Sequence, residues 1–174
     1  MVKFAWNLNE VEDIKEVFNH LSNKQIKAVR EVLQPQEITV VTDEKEITKD
    51  VDIQQVAGPD WRVGKATARA YAKSVDGVEV WSFGVEATWE FSGSSVRNVS
   101  STHAVSTNHY MWHWKNMIDE NERVHDDSCV VYKQGKFSYC EPIGLGCLKS
   151  HTPYIEHYGY EDGSSHTESN YKTN

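Results

Sequence analysis

The stretch from Gly64 to Phe91 admits very few folds, because its turn and both of its arms agree on one register. Asp76-Gly77 lies between two extended runs, and that dipeptide accepts the positive φ of a tight hairpin turn. After the turn, Trp81, Phe83, Val85, Ala87, Trp89 and Phe91 alternate with Val80, Ser82, Gly84, Glu86, Thr88 and Glu90. Before it, Ala66, Ala68, Ala70 and Ala72 alternate with Lys65, Thr67, Arg69, Tyr71 and Lys73. Successive side chains of a strand point to opposite faces, so each arm has one apolar and one polar face. Closing the hairpin at Asp76-Gly77 sets Ala72 opposite Trp81, Ala70 opposite Phe83, Ala68 opposite Val85 and Ala66 opposite Ala87. Small residues meet large ones, and Lys65 and Arg69 fall diagonal to Glu86. A slip of one residue would turn the aromatics to water, so the register is strongly specified.

The remainder divides by periodicity. Residues 1–34 read as a helical segment. Asn9-Glu10-Val11-Glu12 has the form of an N-cap, and Val11, Ile14, Val17, Phe18 and Leu21 recur on one helical face. Ser22 with Gln25 has the form of a capping box opening a second helix, whose apolar face is Ile26, Val29, Val32 and Leu33 and which stops before Gln34-Pro35. These helices either pack on the sheet or form a pro-segment or assembly arm. Residues 35–162 read as the β domain. Ile38, Val40 and Val41 mark a strand, Asp43-Glu44 a turn, and Ile47, Val51, Ile53 and Val56 more extended chain before Ala57-Gly58-Pro59-Asp60. Ser92-Gly93-Ser94 turns the chain into an outer strand through Val96, Val99 and Val105, irregular near Asn98-Val99. His109 to Met117 suits either strand or helix, and Ile118 to Glu122 reads as a polar loop. Val124–Tyr132 and Lys136–Ile143 read as a second hairpin turning at Gln134-Gly135. Leu148–Tyr160 contains Pro153, which points to an edge strand or loop. The polar stretch from Glu161, and residues 163–174 above all, read as a frayed tail. Many short strands with turn signals between them point to an antiparallel β-sandwich, or a flattened barrel, carrying an N-terminal pair of short helices.

Charge and cysteine content narrow the setting. A formal net charge of −8 disfavours nucleic acid and anionic membrane as partners. No run approaches the ~18 apolar residues of a membrane span. Met1 to Trp6 has no apolar signal core, which leaves an intracellular protein or a mature one whose leader has been removed. The three cysteines, Cys129, Cys140 and Cys147, are too sparsely spaced for structural zinc. Pro142, Gly144 and Gly146 would let Cys140 and Cys147 close a short ring, and this pairing is favoured. A turn at Gln134-Gly135 would instead bring Cys129 opposite Cys140, and three reduced thiols in a cytosolic protein form the third possibility.

Candidate chemistry gathers between residues 103 and 126. His103, His109, His113 and His125 surround Trp112 and Trp114. His109 and His113, four apart, share one side of a helix or strand and with His125 could hold a transition metal, Asp126 or Glu122 adding a ligand. The pattern lacks the intervening glutamate of a His-Glu-x-x-His metalloprotease, and polar-tipped packing is the plainer reading. On a strand, Tyr110, Trp112 and Trp114 share a face, which could be a platform for sugar or protein, or a second layer of the core. Glu86 and Glu90 resemble the paired carboxylates of a glycosidase, but Lys65 and Arg69 beside them make charge pairing simpler. Asn98-Val99-Ser100 is a glycosylation sequon of a kind frequent by chance. No Gly-x-Ser-x-Gly elbow or phosphate-cradling glycine loop occurs. These residues nominate no catalytic group and no cofactor.

The run Thr67 to Ser94, with Ala-Arg-Ala-Tyr-Ala-Lys-Ser, Val80-Trp81-Ser82-Phe83 and Trp89-Glu90-Phe91-Ser92-Gly93, resembles small secreted β-sandwich proteins of Gram-positive bacteria. Cys140 to Cys147, Thr152-Pro153-Tyr154-Ile155 and Asp162-Gly163-Ser164 are similar to the C-terminal ends of those proteins. The resemblance covers about residues 64–165 and implies an exported sandwich with a disulfide near the C-terminus; it brings no catalytic residues. The expectation is therefore a secreted or cell-surface protein, non-enzymatic, acting outside the cell on a protein or carbohydrate partner or by self-assembly. A toxin-like antagonistic accessory and a surface or fibre component both fit. The alternatives are a metal-dependent hydrolase built on the His103–His125 region, a carbohydrate-binding module using Tyr110, Trp112 and Trp114, and a cytoplasmic location.

Overall fold

Two four-stranded antiparallel sheets lie face to face with two short helices at one end, in a computed structural model that describes residues 3, 7–8, 13–33, 37–45, 60–141 and 146–173. Helix α1 (Ile14–Asn19) starts where the Asp13 side chain accepts the Glu16 N–H at 3.0 Å; the cap expected at Asn9 lies outside the described residues. Helix α2 (Asn23–Leu33) opens on the expected box: Ser22 N–H donates to Gln25 Oε1 at 2.9 Å and Gln25 N–H to Ser22 Oγ at 3.4 Å. It buries Val29, Val32 and Leu33 against the sandwich.

Strands β1 (Glu37–Lys45), β2 (Arg62–Lys73), β3 (Glu79–Phe91) and β4 (Val96–Thr107) form the first sheet in that order. Asp43-Glu44, expected to turn, lies inside β1, paired with Thr67 and Ala66 of β2. The Ala/aromatic register between β2 and β3 is the one read from the sequence. Its turn differs by one residue: Ser74 N–H bonds Val78 carbonyl at 2.9 Å around a three-residue loop, with Gly77 at φ 81°. A shift at Ala72/Lys73 restores the pairing, the usual behaviour of a glycine-bulged loop. Arg69 reaches Glu79, at 2.5 Å, and Glu90 pairs with Arg97 at 2.6 Å, whereas Lys65 does hold Glu86. The irregularity expected at Asn98-Val99 is present: Asn98 has φ 51° and the β3–β4 register shifts beside it.

Strands β5 (Trp112–Val124), β6 (Ser128–Glu141), β7 (Gly146–Tyr160) and β8 (Ser165–Thr173) form the second sheet in that order. Here the sequence misleads in four places. Ile118 to Glu122 is the middle of β5; as an edge strand it needs no apolar alternation, because the ladder to β6 satisfies its backbone. Gln134-Gly135 is no turn. β6 runs straight through it, and the glycine is needed because a Cβ there would lie 2.5 Å from the Trp114 ring. The turn falls instead at residues 125–127, where His125 N–H bonds Ser128 carbonyl at 2.7 Å. Pro153 sits in β7, an interior strand, where the β6 ladder carries no pair between Gln134↔Tyr154 and Phe137↔His151, so its missing N–H costs no regular bond. The polar terminus does not fray, since β8 pairs with β7 from Ser165 to Thr173.

The core lies between β3 and the β6–β7 pair. Trp81 stacks on Phe137 at 4.6 Å, Phe83 on Trp114 at 6.0 Å, and Trp89 presses on Gly159. Burying each such side chain contributes about 1.5–3 kcal/mol. The helices cover the end of this layer. Trp112 Nε1–H donates to Leu33 carbonyl at 3.3 Å, and Arg30 makes a two-pronged ion pair with the buried Glu141. Cys140 and Cys147 face each other on β6 and β7 as a disulfide, and Cys129 is free and buried.

Candidate functional site

The sandwich packs the expected aromatic residues into or against its core. Trp112 is buried, Trp114 is half-buried between Phe83 and Phe137, and Tyr110 lies in the turn before β5 against His109. Trp112 and Trp114 set their rings against Tyr139, Phe83 and Phe137, and Tyr110 and Trp112 also line a shallow depression with Asn108 and His113. The histidines scatter. His109 is buried in that same turn, where its Nδ1 accepts Met111 N–H at 3.3 Å. His113 is exposed on β5, its pKa lowered first by partial burial and then by Lys115. His125 lies twelve residues further on, roughly 35–40 Å along an extended strand. Exposed His103 is on β4, 6.3 Å from the Trp114 ring. Among the described residues no three His, Cys, Asp or Glu side chains gather to hold a metal, and Glu122 instead bonds Ser101.

What remains open to solvent is the outer face of each sheet. On the second sheet the pairing sets side chains in rows across four strands. Arg123, Val130, Tyr158 and His166 form one; Asn121, Tyr132, Glu156 and Glu168 the next; Asp119, Gln134, Tyr154 and Asn170 the third. Tyr132 and Tyr154, diagonal neighbours on β6 and β7, stack with centroids 5.6 Å apart and planes 30° apart. Tyr158 lies 6.0 Å from the His166 ring. Between β5 and β7, over β6, runs a groove of about 450 Å³ walled by Asp119, Asn121, Arg123, Tyr132, Glu156 and Tyr158.

Electrostatics mark this face. Burial, then Asp119, Tyr154 and Glu156, push the Tyr132 phenol up. Tyr158 is pushed up to about 12 by burial first, then by its hydrogen bond to Glu156 and by the nearby carboxylates. Both phenols therefore stay protonated donors across the physiological range. The face combines flat apolar rings, planar amide and carboxylate groups, and a guanidinium, a set able to hold a polar ligand. The signal for it lay in the sequence as Tyr132, Tyr154 and Tyr158, but dividing β6 at Gly135 separates Tyr132 from its neighbours.

The outer face of the first sheet offers a shallower feature. A depression of about 510 Å³ opens over Gly84, flanked by Arg69, Tyr71, Glu86, Thr102 and Ala104. The other described glycines either have positive φ or make room for an indole ring. Gly84 does neither, since a Cβ there would meet nothing nearer than backbone oxygens at 3.8 Å. Comparison with protein-family models, with curated proteins and with solved structures finds no match for this chain.

Proposed function

We propose that this is a non-enzymatic binding protein of an oxidising, extracytoplasmic setting, and that it holds a glycan chain on the outer face of the β5–β8 sheet. The observation that carries this reading is the stacked Tyr132–Tyr154 pair on the solvent side of the sheet, beside the groove walled by Asn121, Asp119, Arg123 and Glu156. Sugar rings offer C–H faces that pack on aromatic rings and hydroxyls that planar polar side chains can hold. A sheet supplies such groups at fixed spacing, so a chain can lie across the strands with little ordering cost to the protein. The Cys140–Cys147 disulfide supports the setting, because disulfides persist where thiols are not kept reduced. Among the described residues no helix is long and apolar enough to cross a membrane.

Native electrophoresis through gels containing soluble polysaccharides tests the reading. At least one polysaccharide should retard the protein, and Tyr132→Ala/Tyr154→Ala should restore free mobility with an unchanged near-ultraviolet circular dichroism spectrum. Mobility indifferent to neutral, acidic and basic polysaccharides alike, or retardation untouched in the variant, would sink it.

A further inference from the structure

We infer that the glycan this face prefers is cationic, a chain of amino sugars with free amines; the inference rests on the glycan reading of the same face. Its ground is a pair of carboxylates that the fold sets against each other. Glu156 on β7 and Glu168 on β8 are direct Cα partners, both on the outer face. Like charges directly opposite destabilise an antiparallel pair. Elsewhere in the sheets four glutamates are met by cations, Glu86 by Lys65, Glu79 by Arg69, Glu90 by Arg97 and Glu120 by Lys133, and Glu122 is met by the Ser101 hydroxyl. Among the described residues Glu156 has no cation within ion-pair reach, and Glu168 has only His166, at 3.5 Å and more than half exposed.

Position turns this repulsion into a preference. Glu156 is the Cα partner of Tyr132, so a sugar ring lying on that tyrosine carries its substituents to the carboxylate. An ammonium there would be held between Glu156 and Glu168 and, over the tyrosine face, would gain a cation–π contribution. Asp119 adds a third carboxylate, two strands away. Of the described groove walls, Arg123 alone is a permanent cation, and it lies in the next row beside Val130. The chain's formal charge of −8 draws a polycation toward the protein from a distance.

Calorimetric titration of the intact protein compares a β-1,4-linked glucosamine oligomer with its fully N-acetylated counterpart of equal length. The free-amine oligomer should bind at least about tenfold more tightly, with a preference that shrinks as salt rises. Glu156→Gln/Glu168→Gln should abolish the preference while folding at least as stably as the parent, since it relieves a repulsion. Glu16→Gln/Glu31→Gln, which removes the same charge on the helices, should keep it. Equal binding of the two oligomers overturns the amine preference and leaves the glycan reading standing. Binding of neither overturns the amine preference, and the glycan reading then stands or falls on the polysaccharide gels alone. An equal loss in the helix variant, or oligolysine bound as tightly and unaffected by Tyr132→Ala, would make the effect general attraction of polycations and overturn the inference.

Discussion

Gly135 and the indole of Trp114 compete for one volume: a Cβ on the glycine would lie 2.5 Å from Cζ3 of that ring and 3.2 Å from Phe83. Gly84, on the facing sheet, has room for a Cβ, which would meet backbone oxygens of Ala68 and Ala104 at 3.8 Å, an ordinary contact distance. One substitution should therefore act in opposite directions at the two sites. Gly135→Ala should destabilise the fold by about 1–3 kcal/mol through overpacking. Gly84→Ala should leave stability unchanged or raise it by up to about 1 kcal/mol, because glycine in a strand costs that much. Urea unfolding followed by tryptophan fluorescence reads both; equal effects would contradict this packing.

Arg30 is the partner that makes a buried Glu141 tolerable, the glutamate side chain being fully buried and the arginine a third exposed. The hydrogen bond to Glu141 holds the Arg30 pKa above its ordinary value, against a smaller lowering by burial. Arg30→Met should cost about 3 kcal/mol, the low end for stranding a buried charge. Arg30→Met/Glu141→Leu should recover most of that loss. A double variant as unstable as the single one would show that the ion pair itself, and not the stranded carboxylate, sets the cost.

Two histidines of β7 join the sheets as neutral groups. His151 Nδ1 accepts the Trp81 indole N–H at 3.2 Å, and His157 Nε2 meets Val85 carbonyl at 3.2 Å. Burial, then Lys149, lowers His151 to about 4, and burial lowers His157 against the opposing pull of Val85 carbonyl. Their pKa values are depressed in the fold, so the unfolded chain takes up protons first. Stability is fully present above the unfolded value of about 6.5 and falls as pH drops toward 4. For His151 the loss across that window is on the order of 3 kcal/mol. Urea midpoints measured between pH 7 and pH 4 should fall in the parent and fall less in His151→Gln; parallel slopes would contradict the assignment.

Burial pushes the Cys129 thiol up to about 11, with Gly159 N–H pulling slightly the other way, while Cys140 and Cys147 are joined. Thiol titration of oxidised protein should find no reactive thiol in the native state. Unfolding without reductant should expose one, and unfolding with reductant three. Two or more in the native protein would contradict the pairing.

The residues that the sequence made legible were those whose signal is local. The β2–β3 register, the Ser22/Gln25 cap, the bulge at Asn98 and the Cys140–Cys147 pairing all rest on neighbours within a few residues or one hairpin. The failures share a different cause. A glycine serves a turn or an approaching ring, and the ring that requires Gly135 belongs to Trp114, on the adjacent strand. Reading Gly135 as a turn cut β6 in two, and with it the outward row that contains Tyr132. Pro153 spoke against an interior strand because nothing local shows the gap in the β6 ladder that admits it. β8 is polar on both faces because it closes an edge, and its partner β7 supplies the order that its own sequence does not.

Residue-resolved NMR at saturating glycan, using whichever polysaccharide retards the protein, tests the binding face most directly. The predicted result is a set of shift changes centred on Tyr132, Tyr154, Tyr158 and Asn121, with the indole resonances of Trp112 and Trp114 unmoved. Changes centred on Trp112, Trp114 and Tyr110, or on the Gly84 depression, would contradict the assignment of the site to the outer face of the second sheet.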